Sequence, residues 1–562
     1  MRLSDLADRD TYDLLIQQGH LIDGTGRPGF QADIGIRAGK IARIGPIKPD
    51  SAERIFRADD LIVSPGLIDL HSHSDLVFAL PPEKQRALLR GRIQQGITTE
   101  IVGNCGLGLA PNDPTSAPIL NAMVEFLTPK YLQATWSSVG EYLDRLEQQG
   151  VASNVGMLVP HGPVRVTAMG VAHRPPSEDE FRHMEHLVAE SLEQGAFGLS
   201  FGLIYPPGQY ASTDELIRLG SVVRKHGGFV AFHQRGGGPE TLVASVAEII
   251  KVGRKAGVPV HHSHEQIHGK GDWSGIEATW GMKEQARREG MDLTQDMIPY
   301  TAVCTTMTTI YPSWALSGGI PALLDRLRDP STRQRIRHDV EEQVPHWPPW
   351  TKDGWPVNIV RDFGWTNIYV SFVSSEEHKA YEMKSIAQIA EMTGQDPFDA
   401  VSDLVIYEGG AVTQLLFGIS GDRTTDAPLK ALMRQPDRMF VTDAWEIGRG
   451  MPHPGAYGAY PRILGRYVRE EHVLSLEEAI RRMTGLPAQR LGLSDRGILR
   501  EGAWADLVIF DFKTIRDRST YEAPRKTPEG IHYVLINGEP VVEEGRYTGK
   551  IAGRVLSSPF CR

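Results

Sequence analysis

Short apolar runs, each followed by a stretch with helical spacing, recur through the middle of the chain. Eight of these runs are strand candidates: 67–71, 99–103, 154–161, 197–201, 229–233, 258–264, 293–298 and 440–443. Most are continuously apolar, as expected for parallel strands that are buried on both faces. Eight strand–helix units over this length predict an α/β fold, a (β/α)8 TIM-like barrel.

The two ends of the chain carry a different pattern. Short apolar stretches separated by turn sequences lie at 13–19, 32–37, 40–44, 505–510 and 532–536. Such stretches are typical of β-strands. We therefore expect residues 1–62 and 495–562 to form one small β-sandwich domain built from both termini, with the barrel over 63–494.

One interval inside the barrel region is unusually long. The interval of about 301–438, between the seventh and eighth predicted strands, is longer than a simple crossover connection. It contains Trp347-Pro348-Pro349-Trp350. An ordinary strand–helix connection in a barrel is only a few residues long. We expect an inserted lid subdomain there.

Composition narrows the class of protein. The 562 residues are 41% hydrophobic and 23% charged, with a formal net charge of −10, a balance that indicates a globular protein with a large core. The sequence has no basic tract of the kind that binds nucleic acid. It also has no apolar run long enough to span a membrane. The first twelve residues contain no apolar segment of a signal peptide. Three cysteines, Cys105, Cys304 and Cys561, form no disulfide framework, which favours a cytoplasmic location.

Candidate metal ligands stand at the carboxyl ends of five of the predicted strands. They are His71, His73, Cys105, His233, His264 and Asp443. In a barrel these ends converge on the face that carries active sites. His71 and His73 are two residues apart, so the alternation of a strand puts both on one side. Imidazole, thiolate and carboxylate together suit zinc, and a bridging Cys105 would permit one or two ions per chain.

Each of these residues has another interpretation when it is taken alone. The His71 and His73 pair could be surface or core histidines, and Cys105 could be a small buried hydrophobic residue. Asp443 could cap a helix. Their common position at the ends of separate strands favours a metal site, because chance rarely produces that arrangement.

A competing motif is present. Residues 264–268 read His-Glu-Gln-Ile-His, which matches the H-E-x-x-H signature of zinc metalloproteases. That chemistry requires a helix, so that both histidines share one face. Here the motif follows a buried-strand sequence and runs into Gly269-Lys270-Gly271, where a helix would end almost at once. We therefore do not expect a metalloprotease.

Two motifs carry a resemblance to a known family. Residues 65–73 (PGLIDLHSH) resemble the opening metal motif of the amidohydrolase superfamily, and 103–106 (GNCG) resemble its D-aminoacylase, or N-acyl-D-amino-acid deacylase, branch. In that branch a cysteine replaces the carboxylated lysine that many relatives use as a bridging ligand. Further matches lie at 198–207, 233–235, 263–270, 443–462 and 486–492, so the resemblance covers nearly the whole chain.

The resemblance implies a division of the ligand set. The His71 and His73 pair would hold the more exposed metal with Asp443 close by, whereas Cys105, His233 and His264 would hold the tighter zinc. Zinc lowers the pKa of bound water from 15.7 to about 7. Asp443 would act as general base while the hydroxide attacks the amide carbonyl, and then as general acid toward the departing nitrogen.

The residues expected to hold the substrate depart from the family pattern. Tyr205 fits a tyrosine that binds the substrate carboxylate in the branch, but Gln266 stands at its lysine position and Cys304 at its serine position. An amide cannot replace a lysine as a charge partner. Either Arg235 or Lys270 supplies the cation, or the substrate lacks a carboxylate there. His161 and His453 are further candidates for the pocket.

The leading hypothesis is a zinc-dependent amidohydrolase that cleaves a linear C–N amide bond of a small molecule, as N-acyl-D-amino-acid deacylases do. The rival among enzymes is a deacylase of neutral N-substituted amides or formamides, or a cyclic amide hydrolase, which Gln266 and Cys304 favour. The rival outside enzymes is a non-catalytic barrel scaffold. The sequence leaves open whether the chain forms a homo-oligomer.

Overall fold

The computed structural model describes residues 11–265, 267–269, 273–351 and 354–560. The first five strands are β1 (Leu14–Leu21), β2 (Phe30–Arg37), β3 (Lys40–Gly45), β4 (Ile55–Arg57) and β5 (Ile62–Pro65). The next elements are β6 (Leu67–Asp69), α1 (Asp75–Phe78), α2 (Pro82–Leu88), α3 (Arg90–Gln94), β7 (Ile97–Val102), α4 (Ala117–Met123), α5 (Val139–Gln149), β8 (Asn154–Met157), β9 (Val159–Pro160), α6 (His161–Met169), α7 (Glu178–Glu193), β10 (Gly198–Gly202), α8 (Thr213–Lys225), β11 (Phe229–His233), α9 (Leu242–Ala256), β12 (Val260–His262), α10 (Gly275–Arg288) and β13 (Leu293–Met297).

The second half continues with β14 (Ala302–Thr306), α11 (Gly319–Arg328), α12 (Pro330–Glu342), α13 (Ile359–Phe363), β15 (Ile368–Phe372), α14 (Ile386–Thr393), α15 (Pro397–Tyr407), β16 (Thr413–Phe417) and α16 (Ala427–Arg434). It ends with β17 (Arg438–Phe440), α17 (Gly455–Arg462), α18 (Leu476–Met483), α19 (Gly485–Leu491), β18 (Leu507–Phe510), β19 (Ile531–Ile536), β20 (Glu539–Glu543) and β21 (Arg546–Tyr547). None of the helices in the described part of the chain is both long and apolar enough to cross a membrane.

The eight predicted strands form a parallel barrel, which confirms the predicted fold class. Hydrogen bonds join β6, β7 and β8 in one arc and β9, β10, β11, β12, β13 and β17 in the other. The third predicted strand is divided into β8 and β9 at Leu158, whose amide donates to the Val102 carbonyl (2.9 Å). Backbone bonds from Asp443 to His71 (3.0 Å) and from His73 to Ala444 (3.3 Å) connect the last strand to the first.

The small β domain comes from both ends of the chain. Its nine strands are hydrogen-bonded as one sheet, in which β18 pairs antiparallel with β5 and joins the C-terminal strands to the N-terminal ones. Alternate residues face different cores, as strand geometry requires. Leu507 and Ile509 pack in the core of the small domain, whereas Val508 and Phe510 pack in the core of the barrel.

The residues between β13 and β17 contain their own sheet. The antiparallel strands β14, β16 and β15 lie in that order in the sheet. Helices α11 to α15 lie between these strands in the sequence, and α16 follows the last of them. Val303, Leu416 and Val370 of these strands are buried in the same core as the barrel. This inserted region therefore packs directly on the barrel, and its exact boundaries stay a prediction.

Candidate active site

Four buried side chains meet at the carboxyl ends of the barrel strands around one sulfur atom. The Sγ of Cys105 lies 3.2 Å from His71 Nε2, 3.4 Å from His233 Nδ1 and 3.3 Å from His264 Nε2. Two ligands that share a zinc ion in tetrahedral geometry lie about 3.3–3.7 Å apart, given bond lengths of about 2.0–2.3 Å. The spacing of these donor atoms therefore fits a shared metal ion.

Asp443 joins the same cluster from the other side. Its Oδ1 lies 3.3 Å from His71 Nε2 and 3.2 Å from His73 Nε2. The donor atoms divide into two overlapping groups: His71, His73, Cys105 and Asp443, and Cys105, His233 and His264. Cys105 belongs to both groups, which is the arrangement that a one- or two-ion site would require.

The backbone at three of these residues is unusual. Cys105, His264 and Asp443 have positive φ values of 53°, 29° and 44°, a region that residues other than glycine seldom adopt. Such conformations cluster at functional sites, where the surrounding structure holds them in place. All three lie just after a barrel strand, so the turn aims each side chain back over the barrel mouth.

Glycines make room for the turn that carries Cys105. A Cβ on Gly202 would lie 1.8 Å from the Cys105 carbonyl oxygen, and a Cβ on Gly103 would lie 2.1 Å from the Leu158 carbonyl oxygen. Gly103 also has a φ of 76°, which glycine adopts without steric cost. Glycine at positions 103 and 202 thus permits the close backbone contacts of the turn that carries Cys105.

The charges in the cluster fit a cation. Burial would raise the pKa of Asp443, but the electrostatic interaction with His264 and His71 and the hydrogen bonds from His71 and His73 hold it well below its usual range. Burial and the nearby Asp443 and Asp296 carboxylates raise the pKa of the Cys105 thiol. A coordinated divalent cation reverses this, because it deprotonates a thiol outright. Neutral imidazoles, a thiol and a carboxylate are a donor set suited to zinc.

A buried network of hydrogen bonds holds the segment that carries Asp443. The Asp69 carboxylate accepts from the Thr442 amide (3.1 Å) and hydroxyl (2.5 Å), and Arg92 donates to the Ala444 carbonyl and to Thr442. Burial raises the pKa of Asp69 to about 7. These contacts hold residues 442–444 against the first barrel strand.

Asp296 supports the second ligand group. It pairs with His261 (2.7 Å) and accepts a hydrogen bond from the His264 amide. One of its oxygens also lies 4.0 Å from His71 Nδ1. Asp296 was not among the predicted site residues, although an acidic residue within the apolar run 293–298 was a signal that could have found it.

A pocket opens from the ligand cluster. His73, Cys105, His233 and Asp443 form one end of it. Tyr205 and Cys304, both predicted to contact substrate, also line it. The Tyr205 hydroxyl is hydrogen-bonded to Thr305 Oγ1 (2.9 Å).

The structure places Arg235, another predicted substrate residue, away from the residues that line the pocket. Arg235 is fully buried, and its guanidinium pairs with Glu248 (2.7 Å) and donates to the carbonyls of Gln209 and Ala211. Its donors are engaged in packing the loop after β11, so the geometry does not support a substrate contact. The sequence alone could not show this pairing, because a charged residue does not reveal its partner.

The two predicted pocket histidines are also engaged in structural contacts. His161 Nε2 pairs with the buried Glu215 (2.9 Å). His453 Nε2 donates to the Ala302 carbonyl (3.0 Å), and its Nδ1 accepts from the Gly455 amide (3.0 Å). Neither is among the described residues that line the pocket.

Two predicted substrate residues, Gln266 and Lys270, lie outside the described residues.

The metalloprotease alternative is excluded by the part of this segment that is described. His264 has a φ of 29°, which a right-handed helix does not contain. The next helix after β12 in the described residues is α10, which begins at Gly275.

His268 is a pocket residue that the sequence analysis did not assign. It lines the pocket, and its Nδ1 lies 2.9 Å from Asp362 Oδ2. Asp362 belongs to α13 in the inserted region. Only the fold brings these two residues together, because 94 positions separate them.

Comparison with known proteins agrees with this architecture. The model of the amidohydrolase family matches residues 54–542. The D-aminoacylase of Alcaligenes xylosoxydans xylosoxydans is 31% identical over 556 residues, which cover 98% of this chain and 99% of that protein. The N-acyl-D-glutamate deacylase of the same organism is 32% identical, over 98% of this chain and 97% of that protein. The chain therefore belongs to the amidohydrolase family.

A solved structure matches over the same extent. The N-acyl-D-glutamate deacylase of Bordetella bronchiseptica, in complex with zinc and a phosphonate that mimics the tetrahedral intermediate, superposes with a TM-score of 0.79 at 30% identity. The match covers 97% of this chain and 100% of that one. The barrel and the small β domain are thus shared with a deacylase that binds zinc.

Proposed function

We propose that this protein is a zinc-dependent amidohydrolase that cleaves a linear C–N amide bond, removing the acyl group from a small N-acyl compound as D-aminoacylases do. One observation carries the proposal: the Cys105 Sγ lies 3.2–3.4 Å from a ring nitrogen of each of three histidines at the mouth of a barrel. The similarity to D-aminoacylase over 98% of the chain supports it.

We assign the metal-binding role to six residues. They are His71, His73, Cys105, His233, His264 and Asp443. Cys105 is the ligand that both groups share, so the set accepts one or two zinc ions. When bound, zinc supplies Lewis acidity that activates water near neutral pH and polarises the substrate carbonyl.

Asp443 is the proposed general base and general acid. It lines the pocket beside the other donor atoms, and its lowered pKa keeps it ionised. In the proposed reaction Asp443 takes the proton of the attacking water and then delivers it to the departing nitrogen. The C–N bond breaks, and the products are a carboxylic acid and an amine.

Tyr205 is the proposed donor to the substrate. Burial raises the pKa of its phenol well above the usual range, so the hydroxyl stays protonated. Its edge-to-face contact with His233, at 5.3 Å between ring centroids, places it beside the ligand cluster. We expect it to orient the acyl compound toward Asp443.

We place the reaction in a reducing compartment such as the cytoplasm. Cys105 and Cys304 are free, buried cysteines, and a metal ligand must be a reduced thiol. The partner is a small-molecule amide, and a net charge of −10 disfavours nucleic acid.

The test is amine release by purified, zinc-loaded protein from N-acetyl and N-formyl derivatives of amines and of D-amino acids, with L-enantiomers as controls. We expect hydrolysis that stops after treatment with a chelator and returns with zinc. Protein that contains zinc and hydrolyses none of these amides would contradict the proposal.

A further inference from the structure

The pocket has two chemically different parts. The ligand cluster occupies one end, whereas apolar side chains form most of the remaining wall, among them Phe126, Leu127, Ile204, Ile359, Leu416 and Trp445. Ile359 lies on α13 and Leu416 on β16, so the inserted region contributes part of this wall. A substrate that reaches the cluster must place its non-reacting end against these side chains.

The described part of this wall offers no fixed positive charge. Among the described residues that line the pocket there is neither lysine nor arginine. Arg235, which follows the ligand His233 by two positions, is held by Glu248 (2.7 Å) and lies over the Trp350 ring at 4.9 Å. A substrate carboxylate in this part of the pocket would have to leave water without meeting Arg235.

His268, one of the polar residues of this wall, is already paired with a carboxylate. Its Nδ1 is bound to Asp362 at 2.9 Å, and both side chains are buried, at 7% and 3% exposure. Because the Asp362 carboxylate is bound to this ring, the pair does not present an unpaired positive charge to a second anion. Its remaining ring nitrogen is suited to a single hydrogen bond with a neutral group.

We propose that the substrate is a neutral amide, an N-acyl amine whose amine part is apolar and carries no carboxylate beside the nitrogen. This inference rests on the amide hydrolysis proposed above and names its substrate class. Removing a carboxylate from water without a paired cation is strongly unfavourable, whereas burying an apolar chain against this wall is favourable.

The test compares two amides that differ only in the acid group, N-acetyl-D-leucine and N-(3-methylbutyl)acetamide, with zinc-loaded protein. We expect kcat/KM for the neutral amide to be at least about tenfold higher, since a buried unpaired charge costs more than one tenfold step. Equal values, or a preference for the acid, would overturn the inference and leave the proposed function standing. The Lys270→Met variant would then show whether that lysine supplies the cation. Hydrolysis of neither amide would overturn the proposed function, and this inference with it.

A charge variant provides the second arm. Asp362→Asn removes the negative charge beside His268 with little change in shape, so we expect the ratio of kcat/KM for the acid to that for the neutral amide to rise severalfold. Asp325→Asn, on the exposed surface of α11 at 80% exposure, makes the same change in net charge and should leave the ratio unchanged. An unchanged ratio in Asp362→Asn would contradict the role given to the His268–Asp362 pair.

Discussion

The ligand wall of the pocket comes from the ends of the barrel strands, whereas its apolar wall comes partly from barrel loops (Phe126, Leu127, Ile204 and Trp445) and partly from the inserted region. The barrel wall carries His73, Cys105, His233 and Asp443 at the ends of its strands, whereas the inserted region contributes apolar residues such as Ile359 and Leu416. The barrel residues are held by buried carboxylates and by Arg92, whereas Ile359 and Leu416 belong to elements of the inserted region that pack on the barrel. We infer that the barrel supplies the reaction and the inserted region selects the substrate.

The strongest way to break this comparison is to disable the barrel wall. We expect Asp443→Asn to lower kcat by at least about 100-fold, because an amide cannot accept the proton of the attacking water. Its zinc content should stay close to that of the unmodified protein, since His71, His73, Cys105, His233 and His264 remain. Near-normal turnover of any accepted amide would contradict the role of Asp443.

The next change addresses the shared ligand. Cys105→Ala removes the sulfur that both donor groups contain, and we expect its zinc affinity to fall by more than the 10–100-fold that is typical of residues supporting a metal ligand. Cys304→Ala is the matched control, because Cys304 lines the pocket but lies outside the donor groups. Equal zinc in the two variants, by elemental analysis, would show that Cys105 is not a ligand.

A smaller effect is expected from the inserted wall. Ile359→Ala removes apolar contacts with the substrate, so KM for a neutral amide should rise about tenfold while kcat changes little. Val344→Ala, at an exposed position of the same region (46% exposed), serves as the control. A fall in kcat with KM unchanged would place Ile359 in the reaction and weaken the division between the walls.

The smallest effect on activity is expected at Arg235. Arg235→Gln leaves Glu248 buried without its partner, so we expect a loss of about 3–5 kcal/mol in the free energy of unfolding, with kcat/KM of the folded protein nearly unchanged. The double variant with Glu248→Gln should recover part of the stability, because no unpaired charge remains. Denaturant unfolding measures the first effect, and a large rise in KM for acidic amides would restore Arg235 as a substrate ligand.

The donor residues of the barrel wall could be predicted from the sequence, whereas in the inserted wall only Cys304 was predicted, through the family resemblance. A residue that follows an apolar strand must lie at the barrel mouth, so His233 and Asp443 were accessible to local reasoning. Ile359 and Leu416 reach the pocket only because the inserted sheet and α13 pack on the barrel, and no local pattern encodes that contact. Arg235 is engaged by Glu248, 13 positions further along the chain, and no local pattern in the sequence pairs the two residues.

The most direct test of the central claim is metal reconstitution. Chelated protein should lose hydrolysis of its best amide substrate, and activity should return in proportion to added zinc, reaching its maximum at one or two equivalents per chain. Full activity in protein shown by elemental analysis to contain no metal would contradict a reaction centred on the residues around Cys105.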